Sequence, residues 1–159
     1  ASIIERHGFQ VCDHDTVAAR AVEQDFTVLL FAGDADRLME SNDAAVIFPE
    51  LIKAFHGKIT PIVVARDSER ILQRKYRFSA FPSLVLLRRG EYLGAISRVR
   101  DWVDYIREID EILARYIRGL DVAARRIGFD DLLAKALRGR RLDFVVLAQL
   151  SPRSFLIMS

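Results

Sequence analysis

One cysteine, Cys12, stands in a sequence of 159 residues. A lone cysteine closes no internal disulfide, supplies no dithiol pair and founds no cysteine-rich metal site. The run Cys12-Asp13-His14-Asp15 holds ligand-type side chains. Consecutive residues rarely converge on one ion, however, and no second Cys/His group stands at a usual ligand spacing. Burial or plain exposure is therefore the expected state of Cys12. Long hydrophobic runs are missing too: the stretches at 28–31 and 83–87 are far too short to span a bilayer, so no stable membrane insertion is expected. No basic stretch followed by an apolar one opens the chain, which, with the single thiol, predicts a cytoplasmic, reducing setting. Charge of one sign is not in excess either, with 24 Lys/Arg against 22 Asp/Glu. The balance is uneven along the chain, 17 against 18 over residues 1–118 and 7 against 4 over 119–159. A balanced body with a basic tail argues against nucleic acid as a partner, because phosphate binding needs concentrated positive surface. Gly33 alone makes no phosphate loop, and Ser41 has no nearby His or acid arrangement that marks a nucleophile.

What is present is a globular core, with 51% apolar and 29% charged residues. Asp13 or Asp15 can cap a helix over 16–24, with Val17, Ala21 and Val22 on one side. Residues 26–31 form a continuous apolar run and predict a buried strand. After a polar loop, Asn42 or Asp43 can cap a helix to about residue 55, with Val46, Ile47, Leu51, Ile52 and Phe55 inward. Pro49 lies inside that helix, where it removes one backbone hydrogen bond. A strand over 59–65 and a helix over 68–76, capped by Asp67 and turning Ile71, Leu72 and Tyr76 inward, follow. Strands at 83–88 and 91–97 flank a tight Arg89–Gly90 turn. Asp101 caps a last helix whose stripe is Trp102, Val103, Ile106, Ile109, Leu113 and Ile117. The order α-β-α-β-α-β-β-α predicts an α/β fold with a mixed central sheet flanked by helices. After Gly119 the pattern changes, so residues 1–118 are expected to form one domain and 119–159 a basic extension. The cluster Arg138-Gly139-Arg140-Arg141 reads as a solvated turn.

This order resembles that of thioredoxin. Ala80-Phe81-Pro82-Ser83 sits where thioredoxins keep a cis-proline, and Gly90 follows Pro82 by eight residues, as their hairpin glycine does. Pro49 matches the proline inside their active-site helix. Counting back from it places Ser41-Asn42-Asp43-Ala44 where the C-x-x-C pair should stand, and neither end is cysteine. A closer resemblance is to the HyaE/HupG family of hydrogenase expression proteins. It rests on Leu30-Phe31-Ala32-Gly33-Asp34, Phe48-Pro49-Glu50-Leu51, Tyr76-Arg77-Phe78, Phe81-Pro82-Ser83-Leu84, Gly90-Glu91-Tyr92-Leu93-Gly94 and Asp101-Trp102, with His7-Gly8-Phe9 upstream. These segments run in order over roughly residues 5–117.

The resemblance implies a thioredoxin-like fold and a non-catalytic chaperone of nickel–iron hydrogenase maturation. Such a chaperone binds the twin-arginine signal peptide of the hydrogenase small subunit precursor before export, in the cytoplasm and without a cofactor. Other hydrogenase maturation proteins and a second copy of the chain are further candidate partners. The peptide groove is expected at Phe81, Pro82, Ser41, Asn42 and Asp43, with the Phe81–Pro82 bond cis. Arginine pairs with carboxylates through parallel hydrogen bonds, so Asp34, Asp36, Glu40 and Asp43 are the candidates for twin-arginine recognition. Capping and solvation are the plainer roles for these acids. Trp102 is expected to pack its helix on the sheet, the alternative being a partner surface. Two rival readings remain. One is a redox protein using Cys12 alone. The other is a structural subunit pairing its edge strands.

Overall fold

The computed structural model describes residues 6–34, 37, 39–55 and 57–127. The expectations for Asp36, the 138–141 cluster and the segment beyond it lie outside those residues. The element order is β1 (Val11–Cys12), α1 (His14–Glu23), β2 (Phe26–Phe31), α2 (Met39–Ala54), β3 (Thr60–Val64), α3 (Arg66–Tyr76), β4 (Ser83–Arg88), β5 (Glu91–Ser97) and α4 (Trp102–Ile127). The chain divides into two compact units between Ile109 and Asp110. No described helix is long and apolar enough to cross a membrane.

The first unit holds a five-stranded sheet in the order β1-β3-β2-β4-β5. β1 and β2 run parallel to β3, whereas β4 is antiparallel to both β2 and β5. β2 is central and buried from Thr27 to Phe31, which is why its sequence is apolar without alternation. Successive side chains of a strand point to opposite faces. Leu29, Phe31, Val85 and Leu87 join Cys12, Val17, Ala21, Leu72, Tyr76 and Phe78 in one core layer beside α1 and α3. Val28 and Leu84, with the other parity, line a small void with Phe48, Leu51 and Ile109 from α2 and α4.

Local chemistry sets the boundaries. Asp13 caps α1 by accepting the Thr16 N–H at 2.8 Å. Arg89 and Gly90 both have positive φ, 47° and 84°, the combination that matches a two-residue hairpin to strand twist. A Cβ on Gly90 would sit 3.1 Å from Val22 Cγ2, a tight contact added to the positive φ that favours glycine there.

Several expectations need correction. β1 was not anticipated, and it takes Cys12 into the sheet. α2 starts at Met39, so Glu40, Ser41, Asn42 and Asp43 lie in its first turns and neither Asn42 nor Asp43 is its cap. α3 starts at Arg66 after Ala65, not behind an Asp67 cap. Val22, Val46 and Ile71 are exposed rather than inward. Trp102 and Val103 are exposed as well, and the buried positions of α4 are Tyr105, Ile109 and Ile112. That spacing of four and three is helical; it shares Ile109 with the expected stripe and otherwise falls one residue before Ile106 and Leu113.

Candidate functional site

The loop before β4 folds as its sequence suggests. The Phe81–Pro82 peptide bond is cis. Pro82 is fully buried, and its carbonyl accepts the Arg98 N–H at 2.7 Å. Pro82 therefore offers no side-chain surface to a partner. Phe81 is half-buried and ends an aromatic column. Phe31 lies 4.6 Å from Phe78, and Phe78 lies 5.4 Å from Phe81 edge-on, so the loop is anchored directly to the core. The Arg70 guanidinium covers the Phe81 ring at 5.0 Å from its centroid, within cation–π range. Among the described residues, nothing pairs with the Phe81 backbone N–H or C=O. Those two groups are the ones an extended peptide would use.

Four candidate residues come from the first turns of α2, and their roles diverge. Ser41 is 2% exposed and donates its hydroxyl hydrogen to the Ala32 carbonyl at 2.6 Å. It closes the β2–α2 connection and is inaccessible to a partner. Asn42 and Asp43, between the two positions where the cysteine pair would stand, are exposed, and Asp43 forms no ion pair among the described residues. Glu40 is engaged: Arg98 Nη2 lies 2.8 Å from its Oε1. The hydrogen bond from Arg98 holds the Glu40 carboxyl below its ordinary range.

Asp34 is also committed. Its carboxylate meets Arg66 at 2.6 Å and Arg37 at 3.6 Å. Asp36 lies outside the described residues. Of the four expected carboxylates, the structure thus describes three and leaves only Asp43 uncompensated.

The expectations passed over Glu69. It lies on α3, is 5% exposed, and accepts the Gly33 N–H at 2.9 Å. Burial pushes its carboxyl above the ordinary carboxylate range, against the pull of the Gly33 and Ala32 N–H groups and of Arg66 and Arg70. Gly33 has φ 75°, where glycine is favoured, and this conformation aims its N–H at Glu69. Glu69 and Arg98 are thus long-range fasteners of the site: Glu69 holds the Gly33 backbone, and Arg98 joins the Pro82 carbonyl to Glu40.

Thiol chemistry finds no footing here. Cys12 is 5% exposed within the core, and its carbonyl accepts the Ala65 N–H at 2.8 Å. A reactive cysteine needs access and an electropositive setting, and this thiol has no access. Among the described residues no group of three or more His, Cys, Asp or Glu side chains is placed to hold a metal ion.

A mixed sheet of this order, a cis-proline loop tied through Arg98 to the start of the neighbouring helix, and a 41–44 segment without cysteine define a thioredoxin-like protein stripped of its redox pair. The solved structure of Plasmodium falciparum thioredoxin superposes with a TM-score of 0.54 at 13% identity, covering 64% of this chain and 96% of that one, and supports the fold alone. Residues 1–105 match the family of the hydrogenase-1 expression protein HyaE. The chain is 46% identical over 107 residues to the hydrogenase expression/formation protein HoxO of Azotobacter vinelandii, covering 67% of this chain and 72% of that protein. It is 36% identical over 116 residues to the hydrogenase expression/formation protein HupG of Bradyrhizobium diazoefficiens, covering 70% and 78% respectively. The chain belongs to the HyaE family of hydrogenase expression proteins.

Proposed function

We propose that this chain is a non-catalytic, cytoplasmic chaperone that holds the twin-arginine signal peptide of a hydrogenase small subunit precursor before export. The peptide lies extended along the Phe81–Pro82 loop and pairs with the Phe81 backbone, while Asp43 receives an arginine. The observation that carries the reading is the backbone N–H and C=O of Phe81, unpaired among the described residues, in a loop that Arg98 ties to the first turns of α2, where Asn42 and Asp43 are exposed. Where a redox thioredoxin carries its first cysteine, this chain has the buried Ser41, and the two positions that follow present an amide and a carboxylate. Such groups can bind and orient a peptide. Family membership supports the client class, since the curated relatives are hydrogenase expression/formation proteins.

The test is calorimetric titration of the full chain with the signal peptide and with a twin-lysine control. Specific binding that weakens with lysine is expected, because a bidentate guanidinium contact has no lysine equivalent. Asp43→Lys should weaken binding about tenfold or more, corresponding to loss of one charge-assisted hydrogen bond of ~1.5–3 kcal/mol. Equal affinity for both peptides, or an unaffected Asp43→Lys variant, overturns the arginine site.

A further inference from the structure

We propose that Trp102 and Val103, at the start of α4, form the seat for the apolar stretch that follows the basic residues of the bound peptide; this rests on the peptide-binding reading above. Trp102 is 44% exposed and Val103 71% exposed, although both stand in a helix whose inward positions are Tyr105 and Ile109. Scattered exposed apolar residues are ordinary. These two are adjacent, and one is the single tryptophan of the chain.

Their place is fixed by Arg98. Its N–H bonds the Pro82 carbonyl at 2.7 Å, its guanidinium bonds Glu40 at 2.8 Å, and its carbonyl accepts the Tyr105 hydroxyl at 3.3 Å. The start of α4 is therefore tied both to the cis-proline loop and to the first turn of α2. Trp102 follows Arg98 by four residues. Even fully extended, four residues span at most about 14 Å, so a peptide only a few residues long reaches from the Phe81 backbone to the Trp102 ring.

Charge decides what kind of peptide fits. Around this surface Glu40 is compensated by Arg98, Asp104 by Arg107 at 2.6 Å, and Glu108 by Arg100 at 3.6 Å. Asp43 and Asp101 are exposed and form no ion pair among the described residues. The uncompensated charge is negative: Asp101 directly precedes the apolar pair, and Asp43 stands in the first turns of α2, to which Arg98 ties the head of α4. An acidic apolar segment would be repelled. A peptide with basic residues next to an apolar run satisfies both features, and tryptophan offers a large, rigid apolar contact at low entropic cost.

The single tryptophan makes the test direct. The full chain is titrated with an unlabelled signal peptide lacking tryptophan, following binding heat and Trp102 emission in parallel. The expected result is a blue shift of emission on binding. Affinity should fall about fivefold for Trp102→Ser and about threefold for Val103→Ser, the second at a site too exposed to endanger folding. A peptide whose apolar stretch is replaced by glycine and serine should bind weakly and equally to all three proteins. Binding heat with unmoved emission and unaffected variants overturns this seat and leaves the peptide-binding reading standing. No binding heat overturns both.

Discussion

Arg98 Nη2 lies 2.8 Å from Glu40 Oε1, across 58 residues of sequence. The same residue adopts the left-handed conformation, φ 67°, which turns its N–H onto the Pro82 carbonyl. One residue thus joins the cis-proline loop to the helix that replaces the redox motif. The Glu40 carboxyl is held below its ordinary 4.5 chiefly by the hydrogen bond from Arg98. A depressed carboxylate contributes stability above its unfolded pKa and loses it as pH falls through the folded value. Removing the guanidinium with Arg98→Gln should return Glu40 toward 4.5, as read by carboxyl NMR titration. An unchanged Glu40 titration would show that Arg98 does not hold this carboxylate in solution.

Glu69 behaves in the opposite sense. Its folded pKa lies above 4.5 because it is buried. Between the unfolded and folded values the native state binds the extra proton, so this group's contribution to stability declines as pH rises past the unfolded value. The groups facing it are the Gly33 and Ala32 N–H groups, Arg66 and Arg70, which offset only part of the desolvation. Glu69→Gln keeps an oxygen to accept the Gly33 N–H but has no charge to desolvate. The variant should gain stability relative to the parent as pH rises from 4 to 7, with the difference vanishing at the acid end. Urea unfolding at several pH values measures it. A pH-independent difference would assign the effect to packing instead.

Ser41 and Asp43 share one helical turn yet should separate cleanly. Ser41→Ala leaves the half-buried Ala32 carbonyl without its hydroxyl donor, at an expected cost of about 0.5–1.5 kcal/mol in unfolding free energy. Peptide affinity, measured where the variant is fully folded, should not change, because Ser41 is 2% exposed. A Ser41→Ala variant that loses affinity while remaining folded would place this hydroxyl in contact with the peptide.

Much of the fold was legible because it is written locally. The apolar run of β2 and the hairpin around Arg89–Gly90 have short-range signatures, and so does the Phe81-Pro82-Ser83 loop. β1 was not legible, since two residues are too few to carry a period of two. The start of α2 was misread because Asn42 and Asp43 have the side chains of caps, yet here they lie inside the helix. Within the site, what escaped is what sequence distance hides. Gly33 meets Glu69 across 36 residues, and Asp34 meets Arg66. No local pattern foretells that an acid crowded beside a groove already has its arginine. Trp102 escapes for a different reason: Trp102, Ile106, Ile109 and Leu113 share helical spacing, but the buried positions are Tyr105, Ile109 and Ile112, a stripe turned by one residue.

One rival, a redox protein working through Cys12, makes a measurable claim that the geometry opposes. Cys12 sits in β1 against Val64, is 5% exposed, and is packed with Val17, Leu72 and Tyr76. Attack by or on its sulfur requires β1 to leave the sheet edge or the core layer to open. Thiol modification should therefore be slow in the native chain and limited by opening rather than by reagent. In denaturant the single thiol should react promptly and with a stoichiometry of one. A two-residue edge strand is the least protected element of the sheet, so reaction under native conditions should respond to conditions that loosen β1. Cys12→Ala should leave peptide affinity unchanged and lower stability by about 1 kcal/mol, the scale of removing one small buried group. Prompt native-state labelling at a rate proportional to reagent concentration would show an accessible thiol and return the redox reading to contention.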